Sequence, residues 1–279
     1  MGADIKSVRA RIKSVESTRH ITKAMELVAS AKIRKATDRM EKSRLYRTVM
    51  MDAFASLAKE KSIYTVGRGG KLPTLYIVIA GDRGLAGGYN SNIFRSASAM
   101  IEPDDIVIPI GKRALEYFAR RGRCHTTDYA SSERFAGEDA SRLAKYVRDM
   151  YARGEISSVN LISTKYISPL TQSPDITYIL PIRTSDGATA DELNSNSTIE
   201  YEPSAAEVME AIIPDYIAGV VYSAVTEAFA SELAARRTAM DTATKNADEM
   251  KAELSLQYNR ARQSAITQEI TEIVAGANA

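Results

Sequence analysis

Apolar residues recur at three- and four-residue steps near both ends of the chain. Near the start they are Ile5, Val8, Ile12 and Val15, with Thr22, Met25 and Val28 continuing the stripe less regularly. Near the end Met240, Ala243, Ala247, Met250, Leu254, Gln257 and Ala261 keep the step for three heptads. This period belongs to an α-helix with one apolar seam. Residues 3–66 and 220–275 contain neither Gly nor Pro, and all eight prolines lie between Pro73 and Pro214. Helix interiors exclude Pro and disfavour Gly, so both ends are predicted to be long helices. A helix of ~55 residues is about 80 Å long, too long for a compact core. The two helices are therefore expected to pair as an antiparallel coiled coil.

The middle has a different texture. Leu75–Ala80 (LYIVIA), Ile106–Ile110, Val159–Ser163 and Ile176–Leu180 are apolar runs of strand length. Leu115–Arg121 and Arg134–Tyr151 have the character of helices between them. Alternating strands and helices predict a mostly parallel sheet covered on both faces. The expected organisation is a helix over 1–60, an α/β domain over 74–200, and a helix over 204–279 that packs on the first. The fold class is α/β, α+β overall.

If the two helices leave the α/β domain together, residue 58 lies beside roughly residue 205 and residue 3 beside roughly residue 260. The last ~15 residues then overhang by about 20 Å. They contain Ala261, Ala265, Ile266, Ile270, Ile273 and Val274. An apolar tip without a helical partner implies another protein that encloses it.

Charge sharpens this picture. The net charge is only +2, but residues 1–60 carry 14 Lys/Arg against 7 Asp/Glu, and residues 201–279 carry 6 against 12. Opposite charge favours pairing the two ends and disfavours self-association. The near-neutral total argues against a charge-driven nucleic-acid binder. One cysteine, Cys124, excludes an internal disulfide framework and a cysteine zinc site. No apolar run reaches 18 residues, which predicts no transmembrane helix, and the first 13 residues lack the apolar core of a secretory signal.

Candidate chemistry is sparse. Gly81–Asn90 (GDRGLAGGYN) follows a strand, where a phosphate loop would sit, but its spacing fits neither common phosphate-binding motif. Gly67–Lys71 has a Gly-Lys pair, yet Leu72 stands where Ser or Thr is required. His20 and His125 lie apart, without metal-ligand companions. Arg123 and His125 flank Cys124, which could lower its pKa, but a lone cysteine beside bases is more often an incidental thiol. No nucleophile–base or paired-carboxylate arrangement stands out. Neither a cofactor nor a metal is expected, and the paired helices point to mechanical or assembly work. Two other classes stay open: a nucleotide-binding α/β enzyme with helical dimerisation arms, and a non-rotary coiled-coil scaffold.

Three segments carry a resemblance over essentially the whole chain. They are Ile21–Lys32 (ITKAMELVASAK), GDRGLAGGYN, and the last helix with ASELAARRTAM (Ala230–Met240) and NRARQSAITQEITEIVAGA (Asn259–Ala277). The chain resembles the gamma subunit of F-type ATP synthase. Two positions depart from the family: Ala86 where Cys is common, and Arg237 where Met is common. The cysteine insertion of the chloroplast form is absent.

The resemblance implies a Rossmann-like domain inserted between two shaft helices. It implies a noncatalytic rotor inside a ring of alpha and beta subunits. Proton flow through a c-ring turns the shaft during synthesis, and an epsilon subunit is a further partner. It implies beta-subunit contacts at Arg262, Gln263, Thr267 and Glu269, and a neck contact at Lys23, Met25 and Arg236. It implies a foot at Tyr201 and Glu202 that approaches the c-ring. It also implies peripheral membrane attachment through the c-ring, at the cytoplasmic face of a bacterial membrane, and no nucleic-acid partner.

Overall fold

The computed structural model describes residues 2–57, 62–67, 71–182, 201–202 and 204–277, and the side chains of most of these. The expected boundaries at 60, 200 and 279 lie outside the described residues. The chain forms two compact units. One comprises residues 1–31 with 236–279, and the other residues 32–235. Two helices run through both: α1 (Gly2–Leu57) and α6 (Ala205–Ala277). α6 is longer than the Pro-free stretch because it contains Pro214. A proline there removes one backbone donor. The cost is limited because Glu210, whose carbonyl loses that donor, is solvent-exposed. α6 also holds an 18-residue window of mean hydropathy 1.4, of which 61% is buried within the protein, as in a core helix.

The larger unit is built on a four-stranded sheet of order β2-β1-β3-β4. Its strands are β1 (Thr74–Ile79), β2 (Ile106–Ile110), β3 (Ser158–Tyr166) and β4 (Gln172–Leu180). β1 is parallel to β2 and to β3, whereas β4 runs antiparallel to β3. Pro109 and Pro174 fall on the two edge strands, where a missing N–H is tolerated.

Side chains alternate between the two sheet faces, and each face has its own core. Leu75, Ile77, Ile79, Ile108 and Leu161 pack with α5 (Gly137–Arg153) and with Ile213, Ile217 and Val221 of α6. Tyr76, Val78, Val107 and Ile162 pack with α3 (Tyr89–Met100) and α4 (Lys112–Ala119) through Ile93, Ala97, Ala114 and Phe118. Each fully buried aliphatic side chain contributes roughly 1.5–3 kcal/mol. Sequence reading places α4 and α5 near their observed spans but passes over α3, whose segment YNSNIFRSASAM buries only Tyr89, Ile93 and Ala97. A one-turn helix, α2 (Ile63–Val66), is capped by Ser62.

Within this unit α1 and α6 meet through buried polar pairs. The Ser43 and Thr226 hydroxyls lie 2.6 Å apart. Arg44 Nη2 donates to Glu227 at 2.5 Å, and the Tyr166 N–H donates to the same carboxylate at 2.9 Å. One buried acid thus ties both helices to the end of β3.

Candidate functional site

The helical unit is an antiparallel pair whose seam can be followed residue by residue. On α1 less exposed positions step alternately by three and four along Ile5, Val8, Ile12, Val15, Arg19, Thr22, Glu26 and Ala29, with Glu16 and Met25 half-buried beside them. On α6 they are Met240, Thr244, Ala247, Lys251, Leu254, Tyr258 and Ala261. This is a heptad seam that keeps most of the expected positions: Ile5, Val8, Ile12, Val15 and Thr22 on α1, and Met240, Ala247, Leu254 and Ala261 on α6. Three expected positions differ: Val28 is 58% exposed and Met250 48%, and Gln257 is exposed too, while Thr244 joins the half-buried Ala243 and Lys251 and Tyr258 take the places expected for Met250 and Gln257. The correction has a physical cause. Long and polar side chains at those places bury their stems and find partners across the seam.

Those partners set the register. Thr22 and Thr244 share a buried hydroxyl–hydroxyl hydrogen bond of 2.8 Å. Arg19 Nε donates to Asp248 at 2.5 Å and Lys251 Nζ to Glu16 at 2.7 Å. The Lys251 ammonium holds the Glu16 carboxyl below its ordinary range, chiefly by that hydrogen bond. A single polar layer of this kind penalises slipped registers. Extrapolated along both helices, Gly2 stands opposite about residue 265, so the pairing extends about one turn farther along α6 than expected.

Beyond that point α6 continues to Ala277 without α1 beside it. Ile266, Ile270, Ile273 and Val274 are exposed there, Ile273 to 71%. Arg262, Gln263, Thr267 and Glu269 are also exposed. The Arg262 and Glu269 side chains form no hydrogen bond or ion pair among the described residues. The Thr267 hydroxyl donates to the Gln263 carbonyl at 2.9 Å, a local bond within one turn. Arg262 and Gln263 therefore lie in the last turn that α1 still accompanies and Thr267 and Glu269 just beyond it, together on one exposed stretch of α6 with an apolar stripe.

The neck residues are arranged differently. Lys23 is exposed and pairs with Glu26 at 2.9 Å, and Met25 is half-buried. Arg236 is only 9% exposed. The register puts Lys23 opposite Ala243 or so, about two turns of α6 from Arg236. The cations gathered at the surface are Lys23, Arg237 and Lys245, whose charges together hold the Asp241 carboxyl below its ordinary range, with the Lys245 hydrogen bond foremost. Sequence reasoning passed over Lys245. The spacing 237, 241, 245 on one helix face was the available signal.

Tyr201 and Glu202 belong to the other unit. Tyr201 is half-buried against the larger core and Glu202 is exposed.

The glycine-rich loop is a structural joint. Asn90 accepts from the Gly81 N–H at 2.9 Å and donates to the Arg83 carbonyl. The Tyr89 hydroxyl donates to the Ala228 carbonyl of α6 at 2.8 Å. Asp82 accepts from the N–H groups of Lys112, Ser132 and Glu133 and from the Ser131 hydroxyl. A Cβ on Gly81 would lie 2.6 Å from the Glu232 carboxyl carbon. The Gly81 N–H and the Asp82 and Asn90 side chains are thus spent inside the fold. Of the Gly67–Lys71 segment, residues 68–70 lie outside the described residues.

Cys124 is an ordinary thiol. Burial pushes its thiol up rather than down, and its Sγ donates to the Thr126 carbonyl at 3.0 Å. His20 is exposed as expected. His125 is exposed too, and its Nε2 meets the Tyr146 hydroxyl at 2.5 Å. No cluster of three potential metal ligands occurs among the described residues.

Comparison with known proteins agrees with this architecture. A family profile described as ATP synthase matches residues 4–279. The chain is 41% identical to a protein named ATP synthase gamma chain from Ruminococcus albus, over 97% of this chain and 96% of that one. It is 36% identical to a gamma chain of Acetobacterium woodii named as sodium ion specific, over 100% and 99% of the two chains. Its fold matches a chain of the rotor of the Euglena gracilis mitochondrial ATP synthase, with a TM-score of 0.69 at 19% identity, covering 95% and 100% of the two chains.

Proposed function

The chain belongs to the ATP synthase gamma-chain family, and from that premise we propose how its geometry serves the complex. The gamma chain is a noncatalytic subunit of a membrane-associated synthase and forms its central stalk, within a complex that also holds alpha and beta subunits and a c-ring. The observation that carries the reading is the free end of α6. It exposes Ile266, Ile270, Ile273 and Val274 where α1 has ended. Such a tip is stable in water only when another protein surrounds it. Apolar contact is non-directional, so an enclosing sleeve holds the tip without fixing its angle.

The coupling follows from asymmetry. A rod with different faces stabilises different conformations of the beta subunits it touches, and turning it redistributes those conformations. Arg262, Gln263, Thr267 and Glu269 supply the directional contacts at the free end. The Arg262 guanidinium, unpaired among the described residues, suits a carboxylate on a beta-subunit loop. At the neck Lys23, with Arg237 and Lys245 beside it, presents positive charge to an acidic beta-subunit loop. Met25 adds apolar contact, and the largely buried Arg236 supports the helix from within. Tyr201 and Glu202 form the foot toward the c-ring loops, and the epsilon subunit completes the stalk. Ion flow through the c-ring at the cytoplasmic face of the membrane drives the rotation. The inserted domain has the Rossmann-like role of a rigid base.

The test uses the assembled complex. Glu269→Cys paired with a cysteine on the facing beta-subunit loop should block ATPase activity on oxidation and restore it on reduction. Full activity in the cross-linked state would refute rotation and favour a static scaffold. Separately, tight ATP binding by the isolated chain would favour the nucleotide-binding enzyme.

A further inference from the structure

We propose that the groove between α1, the start of α5 and α6 is a binding site for a small aromatic molecule carrying an acid group. The groove lies wholly within the α/β unit and holds about 700 Å³, within the range of small-molecule sites. Its floor includes the small, buried residues Ala140 and Ala218. Its walls include Tyr46 and Tyr222. The Tyr46 ring lies so close over Gly219 that a Cβ there would come within 2.7 Å of it. Glycine thus lets one aromatic wall rest on the helix backbone.

The other wall is fixed in advance. Arg39 Nε donates to the Tyr222 hydroxyl at 3.0 Å, and the guanidinium carbon lies 5.1 Å from the ring centroid. Arg39 Nη2 also donates to the Phe135 carbonyl at 2.9 Å. Two aromatic walls held this way suit a planar ring.

Charge selects the second part of the ligand. Lys35 and Lys42 line the groove two turns apart on α1, exposed and without an ion-pair partner among the described residues. With Arg39 they outnumber the two carboxylates that face them, Asp38 and Asp215. The unpaired ammonium groups can receive an acid at the rim while the ring occupies the floor. A second pocket, at the ends of α3 and α4, offers no such free charge. Its Arg121 lies 3.6 Å over the Tyr117 ring and donates to the Tyr117 carbonyl, and its Arg123 reaches the carbonyls of Ile101 and Glu102. Those arginines cap helix ends.

The chain has no tryptophan, so Tyr46→Trp places a single emission reporter in the groove. Titration of the full chain with naphthalene-1-sulfonate should shift that emission saturably. Naphthalene-1-methylamine, with the same ring and opposite charge, should bind about tenfold more weakly. Lys35→Gln combined with Lys42→Gln should cost the sulfonate about tenfold and leave thermal unfolding unchanged, because both residues are exposed. Calorimetry on the chain with Tyr46 intact should give the same ranking, which separates the groove's property from the reporter's. Absence of saturable binding, equal binding of sulfonate and amine, or undiminished sulfonate binding by the double variant each overturns the assignment.

Discussion

Thr22 and Thr244 stand 222 positions apart in the chain, yet their hydroxyls share one buried hydrogen bond across the helical seam. Each hydroxyl also bonds a carbonyl of its own helix, at Arg19 and at Met240. Neither is left wholly unsatisfied when the other is removed. Thr22→Val and Thr244→Val should therefore each cost about 1 kcal/mol, and a double-mutant cycle should return a coupling of about 0.5–1 kcal/mol. Urea unfolding of the four chains measures this. Strict additivity would show that the pair does not hold the register.

Acid should loosen the same helical pair. The Glu16 carboxyl is held below its ordinary range, first by the hydrogen bond from Lys251 and then by its charge. A group whose folded pKa is depressed stabilises the fold above its unfolded pKa, and that contribution is lost as pH falls through the folded value. Unfolding midpoints should thus decline below the usual carboxylate range, and Lys251→Met should flatten the acid limb. Both groups are exposed, so the effect is modest. An acid limb unaltered in Lys251→Met would remove Glu16 from the account.

Asp82 gathers three N–H groups and one hydroxyl from two different segments. Asp82→Ala should cost about 1–3 kcal/mol, because four donors, two of them part-buried and two exposed, lose a charged acceptor together. Asp82→Asn, which keeps one carbonyl acceptor, should cost less. Equal stability of the wild-type chain and Asp82→Ala by urea unfolding would contradict this joint.

Gly111 has φ +95, and a Cβ there would fall 2.1 Å from the Ala80 carbonyl oxygen. Strain and overlap act together, so Gly111→Ala should lose about 3 kcal/mol or more and much of its soluble yield. Normal thermal unfolding of that variant would show that the turn relaxes.

At the free end stability and function should separate. Arg262→Ala with Gln263→Ala removes no side-chain hydrogen bond or ion pair among the described residues, and both positions are exposed, so unfolding of the isolated chain should stay within about 0.5 kcal/mol. The same pair should lower ATPase turnover of the assembled complex without preventing assembly. Normal turnover would remove these residues from the beta-subunit contact.

Much of the fold was legible in linear form. Two stretches free of Gly and Pro can hardly be anything but helices, and runs such as Leu75–Ala80 are too apolar and too short to be anything but buried strands. The opposite charges of the two ends and the mismatch of their lengths already implied a pair with an overhang, because rise per residue is a constant of the helix. The motif-bearing segments carried the family. The sequence alone could also show that the glycine-rich loop lacked a phosphate-binding spacing.

Tertiary structure decided the rest, and for one reason: a residue's environment depends on what faces it. The sequence ranks Ala243 and Met250 above Thr244 and Lys251 as seam residues, but Thr22 and Glu16 across the seam reverse that order. Nothing in Gln172–Leu180 states that β4 runs antiparallel, since direction follows from the hairpin that returns it to β3. The polar segment of α3 becomes a helix because three of its residues meet the far face of the sheet. Asp82 looks like any loop aspartate until Lys112 and Ser131–Glu133 converge on it. Period and propensity act along the chain, whereas partners are supplied across it, and only folding brings them within bonding distance.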